Sequence, residues 1–213
     1  DGPYLATAPR FDPGAVVQIF RHRRLRCATM GYFGHMWELY TFWAFIPLFL
    51  SAYSSNRADL TLNISVWSFL IIGVGSLGCV AGGMVSKRCG SARVAAAQLA
   101  LSGLCCLFSP LAMVAPSGLF LTLMLLLGIT VVGDSPQFSN IVAQTAPQEL
   151  VGSALTLVNC IGFSITVLSL SLVQWLTSVV PMEYVLLVLA LGPTVGLANM
   201  RYLLVETRAV QGF

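Results

Sequence analysis

Charge is the scarcest property of this sequence. Of its 213 residues only 9% are Asp, Glu, Lys or Arg, while 57% are apolar, and the mean hydropathy is +0.84. A soluble domain carries about 25% charged residues, so this chain lacks the polar material to coat a globule. The one or two soluble domains that its length alone would allow are therefore excluded. Metal and disulfide frameworks are missing as well. The six cysteines, at 27, 79, 89, 105, 106 and 160, contain no C-x-x-C pair, and the neighbours Cys105 and Cys106 point to different faces of a helix. They read as small apolar fillers, with no metal and no cofactor expected. No nucleophile–base pair, zinc motif or phosphate loop is present, so the chain is not expected to be an enzyme. The first apolar run follows a polar leader without a small-residue cleavage site, so no secretory signal is expected.

What is present is apolar length. About 20 apolar residues cross a hydrocarbon layer about 30 Å thick, and the sequence predicts six such spans, at roughly 26–50, 62–85, 93–114, 117–138, 150–178 and 182–204. The expected fold is all-α: a polytopic membrane protein with a linker over 1–25, a six-helix bundle over 26–204 and a tail over 205–213. Tyr53, Trp175, Tyr184 and Tyr202 fall at span ends, where aromatic belts sit. Pro47, Pro110, Pro136 and Pro193 lie inside spans, near their ends, which bundles tolerate because neighbouring helices re-satisfy the freed backbone groups.

Orientation follows from the basic residues. With the N-terminus in the cytoplasm, ten Lys and Arg fall inside and Arg57 alone falls outside. Both termini are then cytoplasmic, and the chain is expected in the cytoplasmic (inner) membrane. The cluster "RHRRLR" reads as an orientation signal and a contact for lipid headgroups; no nucleic-acid partner is expected. In the leader, Asp12 suits a helix cap and Pro13 its first position. Val16, Val17, Ile19 and Phe20 then form a short amphipathic juxtamembrane segment.

The second span contains Gly73, Gly75 and Gly78 at G-x-G-x-x-G spacing. That fingerprint binds a dinucleotide only between a strand and a helix. In an apolar span, Gly75, Cys79 and Gly83, with Gly78 and Gly82 beside them, instead let another helix approach closely. Directly after it, "GMVSKRCGSAR" (Gly83 to Arg93) resembles the cytoplasmic loop motif of the major facilitator superfamily. Gly83, Arg88, Gly90 and Arg93 fall on the pattern, with Lys87 in the usual acidic place and Ala92 in a basic one. "TAPQELVGSAL" is similar to the superfamily's later P-x-x-x-x-G loop, with Val151 where Arg is common. The basic linker before the first span points to the C-terminal half of such a transporter. The resemblance implies that spans one, two, four and five approach a central cavity, while three and six are peripheral. It also implies a partner, a second six-helix bundle supplied by the N-terminal half, a separate subunit or a second copy. Asp134, toward the cytoplasmic end of span four, is then expected to form an inner-gate ion pair with Arg88 or Lys87. A static structural salt bridge is the other reading.

Two polar groupings remain. His35 and Glu38 stand at i,i+3 on one helical face, near the middle of the first span. A charged residue costs about 2.5–3.5 kcal/mol there on insertion scales, so an intramembrane carboxylate is functional by default. The pair is a candidate for proton coupling or for orienting a polar solute, against a mutually satisfied structural pair. Two ligands without a third do not make a metal site. In "GSALTLVNCIGFSITVLSL", Gly152, Thr156, Asn159, Phe163 and Thr166 recur every three or four residues along one face. That face lines a path or packs on a neighbour; Asn159 and Thr156 are its candidate solute contacts. The Gly-rich, Asn-containing signature of the superfamily's nitrate porters is absent.

The expected function is half of a secondary active transporter, a symporter or antiporter, moving a small solute by alternating access, with a proton as candidate coupling ion. The alternative is a non-transporting membrane scaffold or assembly subunit of the same fold. The orientation is testable with cysteines placed at positions 57 and 91 in a background cleared of other reactive cysteines. An impermeant thiol reagent should label position 57, and not position 91, from outside intact cells.

Overall fold

A computed structural model describes residues 17, 20–57 and 60–210, with the side chains of 206–210 outside the description. Most of the leader, including Asp12, Pro13 and Val16, also lies outside the described residues, and with it the expected amphipathic segment. The described residues form helices joined by short turns, without a strand. In chain order they are α1 (Arg23–Ser55), α2 (Ile64–Gly73), α3 (Gly75–Cys89), α4 (Ser91–Val114), α5 (Ser117–Gly133), α6 (Ser135–Thr145), α7 (Val151–Val179), α8 (Met182–Val185) and α9 (Leu191–Val210). Turns of 3-10 helix (Gln148–Leu150 and Leu186–Ala190) lead into α7 and α9.

The helix ends follow local chemistry. The Asn63 side chain accepts from the Val66 N–H at 3.1 Å and caps α2. Pro116, Pro147 and Pro181 stand at helix starts, where the N–H that proline lacks would have no helical partner. Gly90 joins α3 to α4 with φ 84° and ψ 146°, a region that side chains with a Cβ rarely adopt. The loop therefore needs this glycine for its backbone. At the opposite end of α4, Arg57 donates to the carbonyls of Ala115 at 2.7 Å and Met113 at 3.3 Å. It satisfies acceptors that a helix terminus leaves free.

Five helical units are long and apolar enough to cross a bilayer: Ile64–Cys89, Ser91–Val114, Ser117–Thr145, Gln148–Val179 and Met182–Val205. The chain is thus a multi-pass membrane protein by length and composition. α1, with 33 residues, is long enough but is not among the five. Tyr32, His35, Glu38 and Tyr40 dilute the apolar content of its middle. The fourth unit in the expectation ended at 138, whereas the helix continues to Thr145.

α1 runs through the centre of the bundle, against α9, α7 and α6. α4 packs on α5 and α9, while α3 lies on α5. The outer positions thus fall to the α2–α3 unit and α7. Their closest approaches are made by glycine. A Cβ at Gly34 would strike the Gly192 carbonyl oxygen and one at Gly192 the Gly34 oxygen, so α1 and α9 meet backbone to backbone. Gly78 meets the Ile129 oxygen and Gly128 the Ile71 oxygen in the same way between α2–α3 and α5. The expected close-packing stripe is corrected at one end. Gly75, Gly78 and Gly82 are buried, but a Cβ at Gly83 would meet nothing within 4 Å. Tyr53 is also corrected: it is fully buried, stacked on Phe120 at 3.8 Å, and belongs to the core, while Trp175 and Tyr184 are exposed.

Two apolar cores result. One gathers Phe42, Ile46, Phe49, Met124 and Leu127; the other Leu25, Met36, Leu99, Phe138 and Met200. Gly34→Leu should lower the melting temperature of the detergent-solubilised protein, because overpacking against backbone costs about 1–3 kcal/mol. Gly83→Leu should leave it unchanged.

Candidate functional site

Between the two cores lies a layer of polar residues contributed by α1, α4, the α5–α6 unit and α7. On α1 the layer holds His35 and Glu38, on α4 Ser102, at the α5–α6 junction Asp134, and on α7 Thr166 and Ser169. All six are buried, with His35 at 0%, Glu38 at 1% and Asp134 at 1% exposure. The level is set by the helices themselves. His35 lies twelve residues from the Arg23 end of α1, and Asp134 eleven from the Thr145 end of its unit. At 1.5 Å per residue both are about 16–18 Å along their helices.

His35 and Glu38 do not pair with each other. Three residues along a helix is 300° of rotation, so neighbours on one broad face can still address different partners. His35 Nδ1 lies 2.9 Å from Asp134 Oδ1. That is ion-pair distance, but the approach is not aligned as a hydrogen bond, and His35 Nε2 and Asp134 Oδ2 have no hydrogen-bond partner among the described residues. The His35 ring is held between Tyr32 and Phe138, with centroids 5.9 and 5.8 Å away. Glu38 turns to α4 instead. Ser102 Oγ donates to its Oε2 at 2.8 Å and Cys106 Sγ to its Oε1 at 3.2 Å.

Asp134 therefore meets His35 rather than Lys87 or Arg88. The reason is depth. Asn140, six residues beyond Asp134, already donates to Ser91 Oγ at the start of α4, at 2.8 Å. Asp134 lies about 9 Å further into the bundle, whereas Lys87 and Arg88 are exposed on the last turn of α3. The extra length of α6 places the α5–α6 junction, and Asp134 with it, in the middle of the span. Of the remaining loop residues, Gly90 shapes the turn, Gly83 is open and Arg93 is half-buried.

The α7 stripe divides. Its buried face is Ala154, Val158, Gly162, Thr166, Ser169 and Val173. Thr166 donates to the Met36 carbonyl at 2.8 Å, Ser169 to the Trp37 carbonyl at 2.6 Å, and Thr41 to Ser169 Oγ at 2.9 Å. Asn159 accepts from the Tyr32 hydroxyl at 2.7 Å. Gly152, Thr156, Asn159 and Phe163 face outward, and Phe163 lies against Tyr40 at 5.4 Å. The four candidate coupling and solute residues thus do not converge: His35 and Glu38 are internal, while Thr156 and Asn159 are on an open face. Sequence reasoning missed Ser102, Cys106 and Tyr32. The i,i+4 spacing of Ser102 and Cys106 was the available signal, since it aims two donors from one helical face.

Chemically, the layer holds two carboxyls and an imidazole with no Lys or Arg bonded to them among the described residues. It can bind or pass protons, because each group has a second protonation state and acceptor or donor atoms left open. Among the described residues no group of three metal-ligating side chains occurs.

His35→Ala would leave Asp134 buried without its partner. Loss of one member of a buried pair costs about 3–5 kcal/mol, so the melting temperature should drop markedly. The double variant Lys87→Ala/Arg88→Ala should melt like the parent; the reverse order would return Asp134 to the loop. Comparison with family models, curated proteins and solved structures finds no match to this chain, so its function is argued from this geometry.

Proposed function

We propose that this chain is a six-span half of a secondary active transporter of the major facilitator type. In this reading α1 is the sixth span, and a small solute moves by alternating access against a second six-helix bundle. The observation that carries the reading is the buried layer itself. Glu38, His35 and Asp134 lie at one level of a membrane bundle, with no Lys or Arg paired to the two carboxyls among the described residues. Ionisable groups in such a place are costly and mark ion or proton pathways. Glu38 has neutral donors on both oxygens, and Asp134 and His35 each keep an unpartnered atom. These are the features of a group that gains and loses a proton, rather than of a permanent salt bridge.

The partner bundle has somewhere to bind. α2–α3 and α7 are the least buried of the five apolar units, and the resemblance assigns both to the cavity side. Thr156 and Asn159, on the open face of α7, are the side chains assigned to meet the solute. His35 and Glu38 act behind that face, through the Tyr32–Asn159 hydrogen bond and the α1–α7 contacts at Thr166 and Ser169.

The scaffold alternative shares the fold and differs in whether the layer exchanges protons. Glu38→Gln in proteoliposomes of the assembled protein distinguishes them. Gln keeps the shape and hydrogen-bonding capacity of protonated Glu but has no proton to release. Uptake driven by a pH gradient, assayed with a panel of small solutes, should be abolished, while solute exchange stays measurable. Undiminished proton-driven uptake by the Gln variant would end the coupling role. Absence of any uptake by the parent, with stable incorporation into a larger complex, would favour the scaffold.

A further inference from the structure

The seam between α1 and α9 carries a feature that the proton layer does not use. At its Arg23 end, a cavity of about 450 Å³ is lined by Arg23, Arg26 and Cys27 from α1 and by Asn199, Arg201 and Tyr202 among the α9 residues. Among the described residues no acidic side chain lines it. The Arg23 guanidinium sits 3.9 Å over the Tyr202 ring, which fixes its position by a cation–π contact. Arg26 uses one N–H on the Phe20 carbonyl at 3.0 Å, and its other side-chain donors have no partner among the described residues. Arg201 is exposed and has no hydrogen bond or ion pair among the described residues.

Further along the same seam is a second cavity, of about 300 Å³, lined by Met30, Phe33, Trp37, Ile165, Leu191 and Val195 together with Gly34 and Gly192. The two share one stripe on each helix. On α1 the lining residues are 23, 26, 27, 30, 33, 34 and 37, and on α9 they are 191, 192, 195, 198, 199, 201, 202 and 205. Both series recur at intervals of three or four, with adjacent residues between, so each lies on one side of its helix. The backbone contact of Gly34 with Gly192 leaves no side chain at that point to fill the groove. A basic end and an apolar end therefore belong to one groove.

We infer that this groove binds one anionic phospholipid, with the phosphate among Arg23, Arg26 and Arg201 and an acyl chain along the apolar stretch from Met30 to Trp37. The dimensions match. Arg26 to Trp37 is eleven residues, about 16 Å of helix, and one leaflet's hydrocarbon is about 15 Å deep. The charge matches too, since planar guanidiniums pair bidentately with phosphate oxygens, and basic pockets between membrane helices hold anionic headgroups. A free phosphate would use the arginines alone and leave the apolar half without a role. The inference stands apart from transport and needs only that the bundle sits in a bilayer.

The test is native mass spectrometry of the purified full chain in neutral detergent, titrated with phosphatidylglycerol and, separately, phosphatidylcholine. Phosphatidylglycerol should bind at least tenfold more tightly. Arg26→Gln/Arg201→Gln should weaken it on the order of thirtyfold, at about fivefold per arginine, with helicity and melting temperature retained because both side chains are exposed. Val195→Trp, which fills the apolar end from an exposed position, should weaken phosphatidylglycerol and leave any binding of inorganic phosphate unchanged. Equal affinity for the two lipids, or no effect of the double variant, would overturn the proposal. Full displacement by millimolar inorganic phosphate with no effect of Val195→Trp would also overturn it, and would identify a small-anion site instead.

Discussion

Glu38 must find hydrogen-bond donors without water, and that requirement organises the centre of the bundle. Burying a carboxyl to 1% exposure is costly unless its oxygens are satisfied. Ser102 and Cys106 on α4 meet it, which fixes the rotation of α4 against α1 at this level. His35, one turn earlier, is thereby directed to the α5–α6 junction and Asp134. Three spans are thus keyed to each other by polar contacts that a shift of one residue would break. The apolar cores on either side supply burial but little register, because oily side chains pack acceptably in several arrangements.

The other contacts of α1 follow a second rule, that lipid gives helices no apolar reason to associate. α9 is held by glycine-to-glycine approach at Gly34 and Gly192, where dispersion acts at the shortest range. α7 is held by hydroxyls donating to the α1 carbonyls of Met36 and Trp37. These devices have different mechanical consequences. The glycine crossing is rigid, while the hydroxyl contacts can be exchanged one for another as α7 slides. If the bundle works as a transporter half, motion belongs to α7 and α2–α3, and α1, α4 and α9 form the part that stays together. The lipid groove lies on the rigid seam, consistent with a structural lipid that steadies α1 near its basic end.

What the composition and periodicity determined by themselves is the all-helical membrane class, the approximate bounds of five apolar units and the presence of costly ionisable residues in the middle of α1. Each of these is local: apolar length sets a span, a proline or glycine sets its end, and a carboxylate in an apolar run stands out whatever surrounds it. The glycine stripe was likewise legible at Gly75 and Gly78, because small residues at turn spacing pack closely wherever the partner comes from.

Partnership was decided only by the tertiary structure. Asp134 reads as a span-end acid beside a basic loop until α6 is seen to run on to Thr145, which places it at a mid-span junction of two helices, opposite His35. His35 and Glu38 share a face in projection, yet the packing of α4 and of the α5–α6 junction divides them between two neighbours. Cys106 reads as an apolar filler because its role exists only once α4 is turned toward Glu38. Asn159 and Thr166 belong to one periodic stripe, but the position of α1 buries one and leaves the other open. In every case the side chain and its spacing were visible in the sequence, while the identity of the facing helix was a property of the assembled bundle.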